Sequence, residues 1–311
     1  MNLRPRVVFM GSPSFAVQTL IALTGHYPVV GVVTQPDRPA GRGGTLVQPP
    51  VKETALRLQV PIMQPEKLRL PEAMDQLKSW DPELIVVAAF GQILRKEVLD
   101  LPRYGCINVH GSLLPRWRGA APVQACLLAG DKETGITIMK MDPGVDTGPI
   151  LSQRYLPISD EDTGGSLLAK MAPLGAELLL ETLPRYLGGE LTPRPQNEEG
   201  ATYAPMLKKE DGRLDFNQPA VILERRVRAF QPWPGTWFEW NGAPLKVLRS
   251  HVSNDKSPGV GHHLVVEGNP ALGTKEGILI LEEVQPAGKK SMPGRAFLAG
   301  ARDWSTLNND T

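Results

Sequence analysis

The residues best suited to chemistry lie close together near position 110. A short apolar run predicts a strand over 106–110, in which Asn108 and His110 are two positions apart. Side chains with that spacing point to the same face of a strand. An amide donor beside an imidazole is suited to stabilising an oxyanion and moving a proton. Asn108 and His110 are therefore candidate catalytic residues.

A carboxylate that could orient the imidazole follows downstream. Asp146 lies in the stretch 141–148 (MDPGVDTG), where Gly144 and Gly148 make a turn easy. Asp146 would complete an Asn–His–Asp set. Plainer interpretations stay open, because a histidine at a strand end can be structural and an aspartate between glycines can be a turn former. No covalent nucleophile is indicated, since Ser112 lies in no G-x-S-x-G elbow.

The elements that must position these residues alternate along the first half of the chain. We predict strands at 7–10, 29–35, 84–89 and 106–110, and helices at 14–24 (with Ser14 as N-cap), 51–59, 71–79, 119–129 and 164–188. Such alternation is typical of βαβ units with a parallel sheet and right-handed crossovers. Ligands bind such sheets beyond the carboxyl ends of the strands. The first strand is not followed by G-x-G-x-x-G, so no dinucleotide site is expected.

The rest of the chain is organised differently. Residues 36–50 form a loop rich in Pro, Gly and Arg that is too long for a simple connection. Residues 190–209 contain three prolines without clear periodicity, which predicts a linker. After residue 210, short strands separated by Gly, Pro and Asn predict a small β-barrel. The expected domains are therefore 1–189 and 210–311.

Composition and charge indicate which partners and which compartment to expect. The 311 residues include 34 Lys and Arg against 33 Asp and Glu, a net charge of +1, so nucleic-acid binding would need a local patch. Cys106 and Cys126 lack metal-site spacing and predict buried free thiols in a reducing compartment. No signal-peptide or membrane-length apolar run is seen. We expect a soluble, cytoplasmic monomer without a metal or a membrane partner.

Several separated strings resemble the folate-dependent formyltransferases. Asn108, His110 and Asp146, with Ser112-Leu113-Leu114-Pro115, resemble the family as a whole. Four longer strings are similar to the branch of that family that formylates methionyl-tRNA: 34–43 (TQPDRPAGRG), 114–124 (LPRWRGAAPVQ), 228–234 (RAFQPWP) and 285–290 (QPAGKK). The matches run in the same order over nearly the whole chain, from about residue 6 to residue 304.

The resemblance implies an α/β architecture, in which a Rossmann-like formyl-transfer domain with a parallel-type sheet precedes an OB-fold-like β-barrel. It implies 10-formyltetrahydrofolate as co-substrate and the α-amino group of methionine on initiator tRNA as acceptor. In that reaction the amine attacks the formyl carbon. Asn108 and protonated His110 would then stabilise the oxyanion, and Asp146 would hold His110 and take up the amine proton, directly or through a water.

The resemblance also implies two sets of binding residues. Folate is expected to contact residues after two of the predicted strands, namely Ala88, Phe90, Gly91, Ile93, Ser112, Leu113, Leu114 and Pro115. The tRNA is expected to contact the 36–50 loop and basic residues further on, namely Arg38, Arg42, Lys208, Lys289 and Lys290.

Three alternatives remain at this point. A formyltransferase acting on an amino-sugar nucleotide would use the same trio with another acceptor. A hydrolase would release formate from the same folate without any tRNA. A non-enzymatic RNA-binding module would bind tRNA without turnover.

Overall fold

The computed structural model describes residues 4–40 and 44–305, which divide into two compact units. The first unit comprises residues up to 122, 133–157 and 168–205, and the second comprises 123–132, 158–167 and residues from 206 onward. These units interleave along the sequence. The predicted domains 1–189 and 210–311 are continuous, and their boundaries stay a prediction.

Up to residue 205, strands alternate with helices, as the sequence predicts. The elements are β1 Val7–Gly11, α1 Ser14–His26, β2 Val29–Val33, β3 Arg38–Ala40, β4 Thr45–Val47, α2 Pro50–Arg57, β5 Ile62–Met63, α3 Pro71–Ser79, β6 Leu84–Ala88, α4 Lys96–Leu99, β7 Cys106–His110, β8 Arg118–Gly119, α5 Pro122–Ala129, β9 Glu133–Lys140, β10 Ile150–Pro157, α6 Gly164–Leu187 and β11 Tyr203–Ala204.

A seven-stranded sheet forms the centre of the first unit. Its strand order is β10-β9-β7-β6-β1-β2-β5. The five strands β7, β6, β1, β2 and β5 are parallel, which confirms the predicted Rossmann-like sheet. Strands β1, β6 and β7 are buried at every residue, which explains the unbroken apolar character of β1 and β6, whereas β7 also buries the polar Asn108 and His110. The strand order reverses between β1 and β6, where ligands bind in sheets of this type.

Three strands of this sheet, β5, β9 and β10, were not predicted. Strand β9 pairs antiparallel with β7, and β10 pairs antiparallel with β9. The sheet is therefore mixed, and the chain reverses direction beside the strand that carries Asn108 and His110.

Two local predictions are wrong in detail. Helix α1 starts at Ser14 with Pro13 as its N-cap, and no side chain caps it. The predicted loop at 36–50 contains a short hairpin, in which β3 and β4 pair from Arg38↔Val47 to Ala40↔Thr45. Prolines and glycines weaken a strand pattern, so this hairpin gave no clear signal.

The second unit contains an antiparallel sheet, as predicted for the C-terminal part. Its order is β12-β13-β16-β15-β14, with β17 paired to β16. The core includes Leu223, Phe238, Leu279 and Trp304. Closure into an OB-fold-like barrel stays a prediction. After residue 205 the elements are a 3-10 turn Lys209–Gly212, α7 Ala220–Ala229, β12 Thr236–Trp240, β13 Ala243–Ser253, β14 His263–Val266, β15 Asn269–Gly273, β16 Ile278–Pro286, β17 Met292–Pro293 and α8 Gly294–Leu298.

The longest helix, α6, runs for 24 residues at the position that the leucine spacing predicts. It buries Leu167, Met171 and Leu179 at spacings that place them on one face. Across 4–40 and 44–305, no helix combines the length and the apolar character needed to cross a membrane.

Both cysteines are buried free thiols, as predicted. Burial raises the pKa of the Cys106 thiol to about 12. Its surroundings are apolar side chains of the first unit's core, with Val98 among them. Cys106 is therefore a packing residue on β7.

Candidate functional site

Strand β7 places Asn108 and His110 on one face in the middle of the sheet. Asn108 is paired with Val87 of β6 on one side and with Met139 of β9 on the other. Both polar residues are buried, with 8% of Asn108 and 5% of His110 exposed. Buried polar groups need hydrogen-bond partners. The partners of Asn108 and His110 are the carboxylate of Asp146 and the carbonyl of Trp117.

Asp146 provides that carboxylate from the turn between β9 and β10. Its Oδ1 accepts a hydrogen bond from Nδ2 of Asn108 at 3.2 Å. Its Oδ2 accepts the backbone N–H of Gly119 at 2.9 Å and lies 3.6 Å from Nδ1 of His110. The structure thus brings the three predicted catalytic residues into one cluster, although their roles stay a prediction.

The carbonyl of Trp117 sets the tautomer of His110. Nε2 of His110 lies 3.0 Å from this oxygen, which can only accept, so Nε2 carries a proton. Nδ1 then faces Asp146. The ring of His110 thus lies between the Asp146 carboxylate and the Trp117 carbonyl.

The two donors of the cluster differ in availability. Asn108 uses one amide N–H on Asp146 and keeps a second. The Nε2–H of His110 would have to exchange the Trp117 carbonyl for a substrate oxygen, or share its proton between the two. Asn108 is therefore the readier donor to an oxyanion.

The turn that carries Asp146 assigns different tasks to its two acids. Oδ1 of Asp142 accepts the backbone N–H of Gly144 at 3.1 Å and the Thr147 hydroxyl at 2.7 Å, which builds the turn. A Cβ at Gly148 would stand 1.9 Å from the carbonyl oxygen of Lys140, so only glycine fits there. Asp146 itself has φ +53°, a left-handed conformation that aspartate tolerates.

A buried guanidinium supports this turn, and sequence reasoning gave it no role. The side chain of Arg118 is fully buried and donates to Oε1 of Gln196 at 3.0 and 3.1 Å. It also donates to both carboxylate oxygens of Glu198, at 2.9 and 3.0 Å. Hydrogen bonding to Glu198 raises the pKa of Arg118, although burial opposes it, and lowers that of Glu198.

Gln196 connects the guanidinium to the catalytic turn. Its Nε2 donates to the carbonyl oxygens of Asp146 and Gly148, both at 2.7 Å. Gln196 and Glu198 fall in the predicted linker, whose lack of periodicity hid them. Arg116 and Arg118 stand in the otherwise mostly apolar stretch 114–123, and these two arginines were the signal that could have suggested a buried ion pair.

The residues predicted to contact folate after β6 offer mainly backbone groups. Ala88 is buried at the end of the strand, and Gly91 has φ +80°. The side chain of Phe90 packs into the core, and its carbonyl accepts Nε2 of Gln35 at 3.1 Å. Ile93 is 81% exposed and is the one side chain of this set that faces solvent.

The residues predicted to contact folate after β7 form a firmly held turn. Ser112 donates its hydroxyl to the carbonyl of Arg116 at 2.6 Å. Leu114 is buried, its N–H donates to the Thr137 hydroxyl, and the peptide to Pro115 is cis. Leu113 is partly buried between them. The predicted folate contacts of this turn are not tested by its geometry.

The basic residues predicted to contact tRNA lie at the surface. Arg38 opens β3, and its guanidinium forms an exposed ion pair with Glu66 at 3.1 Å. Lys208 precedes the 3-10 turn, and Lys289 and Lys290 lie in the turn between β16 and β17, all exposed. Arg42 lies outside the described residues. Their contacts with tRNA stay a prediction.

An ion pair closes the base of the hairpin that Arg38 opens. Nζ of Lys52, in α2, lies 2.7 Å from a carboxylate oxygen of Asp37. Nε2 of Gln64 donates to Asp37 at 2.7 Å and to the Gln35 carbonyl at 2.9 Å. The hydrogen bonds from Lys52 and Gln64 lower the pKa of Asp37. The two ends of the hairpin are thereby held together.

Comparison with known proteins gives a consistent result. Residues 5–183 match the family model of formyl transferases, and residues 206–302 match that of the formyl transferase C-terminal domain. The methionyl-tRNA formyltransferase of Myxococcus xanthus is 50% identical over 301 residues, which cover 96% of this chain and 95% of the relative. That of Roseiflexus castenholzii is 47% identical, with 96% of both chains covered.

Solved structures agree on the fold. A methionyl-tRNA formyltransferase from Clostridium thermocellum is similar with a TM-score of 0.57 at 18% identity, covering 81% of this chain and 95% of that one. HypX from Aquifex aeolicus in complex with tetrahydrofolic acid is similar with a TM-score of 0.62 at 16% identity, covering 95% of this chain and 47% of that one.

Proposed function

The chain belongs to the family of methionyl-tRNA formyltransferases, which transfer the formyl group of 10-formyltetrahydrofolate to the α-amino group of methionine on initiator tRNA, and we propose that Asn108, His110 and Asp146 carry this transfer. The observation that supports these roles is the contact of both an amide and an imidazole with one carboxylate on the face of the sheet.

Asn108 is assigned to the charge that develops on the formyl oxygen. One of its amide N–H groups is held by Asp146, so the other is directed by a fixed side chain. Donors fixed before the reaction stabilise an oxyanion without reorganising, and their effect is large in a site that excludes water. Burial of Asn108 and His110 fits that requirement.

His110 and Asp146 are assigned to proton movement. The α-amino group has a pKa of roughly 8, so an appreciable fraction is neutral at pH 7 and modest base assistance suffices. Asp146 can take up the amine proton, directly or through a water. Its carboxylate also lies beside His110, which as an imidazolium would donate a proton towards the leaving nitrogen N10.

The folate co-substrate would supply the activated formyl group, and the charge of a cleft that follows β6 supports a folate contact there. Ile93 lines a cleft of about 210 Å³ together with one acid, Glu97, and three cations, Arg69, Lys78 and Arg95. None of these three cations forms a side-chain ion pair within 4–40 and 44–305. The glutamate end of a folate carries carboxylates, which such a cleft would attract.

The double variant Arg69→Gln and Lys78→Gln is therefore expected to raise the KM for 10-formyltetrahydrofolate by about two- to thirtyfold, because exposed ion pairs contribute roughly 0.2–1 kcal/mol each. The value of kcat should not change. Initial rates at varied folate concentration measure both constants. Lys67→Gln, an exposed neighbour that does not line the cleft, is the control. An unchanged KM would remove the cleft from folate binding.

We propose that the hairpin of β3 and β4 contacts the acceptor end of the tRNA, with Arg38 and Arg42 as its cations. Guanidinium groups are suited to phosphates and base edges. The Asp37–Lys52 ion pair reduces the number of conformations that the hairpin must lose on binding.

Lys52→Met should consequently raise the KM for methionyl-tRNA by about two- to fivefold, the range expected for one ion pair. The folate KM should stay constant, since the folate residues are untouched. Lys96→Met, which breaks the exposed ion pair between the first residue of α4 and Asp100, is the control. Equal KM values for Lys52→Met and the control would argue against a role for this closure.

Formylation of tRNA tests the function as a whole. The purified protein is incubated with 10-formyltetrahydrofolate and either initiator or elongator methionyl-tRNA. Formyl-methionine on the initiator alone is the expected result. Release of formate without tRNA would indicate the hydrolase instead, and tRNA binding without turnover would indicate a binding module.

We further propose that the enzyme is a cytoplasmic monomer. Its two buried free thiols are the state expected in a reducing compartment. Light scattering in solution should give a mass close to 33.9 kDa, and twice that mass would exclude the monomer.

A further inference from the structure

We propose that residues 196–204, here called the bracing segment, position the catalytic trio and thereby set kcat. This inference rests on the proposed roles of Asn108, His110 and Asp146. The bracing segment lies between the two matched family regions, 5–183 and 206–302, so neither match assigns it a role. It belongs to the same compact unit as the trio.

Gln196 holds the turn that carries Asp146. Its single Nε2 donates to the carbonyl oxygens of Asp146 and Gly148 at 2.7 Å each, so one amide fixes both ends of a three-residue stretch. Asp146 lies there in a left-handed conformation, which is sparsely populated and needs support from its surroundings. Gln196 provides that support.

Thr202 and Ala204 hold the other partners of the trio. The Thr202 hydroxyl accepts the Trp117 N–H at 2.9 Å, and the Thr202 carbonyl accepts the Arg118 N–H at 2.8 Å. The Ala204 carbonyl accepts the Ala120 N–H at 2.8 Å. These bonds fix strand β8 and its neighbours, including the Trp117 carbonyl on His110 and the Gly119 N–H on Asp146.

Close packing leaves β8 little freedom. A Cβ at Gly119 would stand 2.5 Å from the Ala204 carbonyl oxygen, and Gly119 has φ +114°. Arg118 contacts both ends of the bracing segment. Its buried guanidinium donates to Gln196 and Glu198, and its backbone N–H donates to Thr202. The bracing segment therefore contacts every group that orients His110 and Asp146, apart from Asn108.

Small displacements of catalytic groups are costly. A misplacement of about 1 Å can reduce a rate by about 10²-fold. Gln196→Met keeps the length of the side chain and removes both donors as well as the acceptor for Arg118. We expect kcat to fall about 10- to 100-fold, with the KM values for folate and tRNA changing less than about twofold.

Gln196→Glu distinguishes the two contacts of Gln196, which holds the Asp146 turn through its N–H groups and accepts hydrogen bonds from Arg118 through its oxygen. At pH 7 a glutamate would still accept from Arg118 but would have no N–H for the carbonyls of Asp146 and Gly148. If Gln196 positions Asp146, Gln196→Glu should lose kcat as Gln196→Met does. Near wild-type kcat in Gln196→Glu would overturn the proposal. Glu199→Gln, in the same segment with an exposed side chain, is the control and should keep full activity.

Thr202→Val tests the contact between the bracing segment and Trp117, and it serves if a Gln196 variant fails to fold. Valine keeps the shape of threonine and removes the acceptor of the Trp117 N–H. We expect kcat, calculated per folded enzyme from the thermal unfolding curve, to fall about three- to tenfold with unchanged KM values. Unchanged kcat in Thr202→Val would contradict the proposal. Wild-type formylation is assayed in parallel. No formylation by the wild type would contradict the proposed function, whereas an active wild type with equally active variants would contradict only the role of the bracing segment.

Discussion

Alanine in place of Asn108 is expected to lower kcat by about 10²- to 10³-fold, the usual cost of one oxyanion donor. The KM values should change little, because the lost hydrogen bond forms mainly as charge develops on the formyl oxygen. The same loss is expected for His110→Ala, which removes the imidazole between Asp146 and the Trp117 carbonyl. Single-turnover formylation at saturating folate measures the effect.

Cys106→Ala is the matched control for both alanine variants. Cys106 lies two positions before Asn108 on β7, is buried, and has no part in the cluster. Its kcat should stay within about twofold of wild type even if the strand loses some stability. A rate within threefold of wild type for Asn108→Ala or His110→Ala would remove that residue from the mechanism.

Asp146→Asn is the second variant with a large expected effect. Replacing the orienting carboxylate by an amide in a comparable trio costs up to about 10⁴-fold, and we expect about 10²- to 10⁴-fold here. Asparagine tolerates φ +53° as aspartate does, so the turn is retained. The negative charge beside His110 is lost, and one amide cannot accept at both positions that Asn108 and Gly119 use.

Asp142→Asn provides the comparison within the same turn. Its amide oxygen can still accept from Gly144 and Thr147, so the turn should persist and kcat should fall by less than about threefold. Loss of activity in both variants to the same extent would mean that the turn as a whole, rather than the Asp146 carboxylate, matters. Formylation rates and thermal unfolding midpoints are measured for both proteins.

Local sequence pattern was sufficient for most elements of the parallel sheet. The apolar runs at β1 and β6 are unbroken because these strands are buried on both faces, which lets the sequence predict them without reference to a partner strand. The period of two on β7 correctly placed Asn108 and His110 on one face. The same turn contains a second acid, Asp142, whose carboxylate is occupied by Gly144 and Thr147, so the structure gives a physical reason for preferring Asp146.

The features that were missed depend on contacts distant in sequence. Strand β9 runs antiparallel to both of its neighbours, β7 and β10, and local periodicity does not encode the direction of a strand. Gln196 contacts a turn 48 to 50 positions earlier, and Arg118 reaches Glu198 across 80 positions. A proline-containing stretch without periodicity was interpreted as a linker because its order comes from hydrogen bonds to the other side of the unit.

The burial of both cysteines makes the protein a convenient host for site-directed labelling. A thiol is alkylated through its thiolate, and the raised pKa of Cys106 together with its burial suppresses that form. Leu46, on the β3–β4 hairpin, is 65% exposed. A cysteine introduced there would react with a maleimide dye far faster than the two native thiols, so fluorescence anisotropy of that dye could follow tRNA engagement without removing either cysteine.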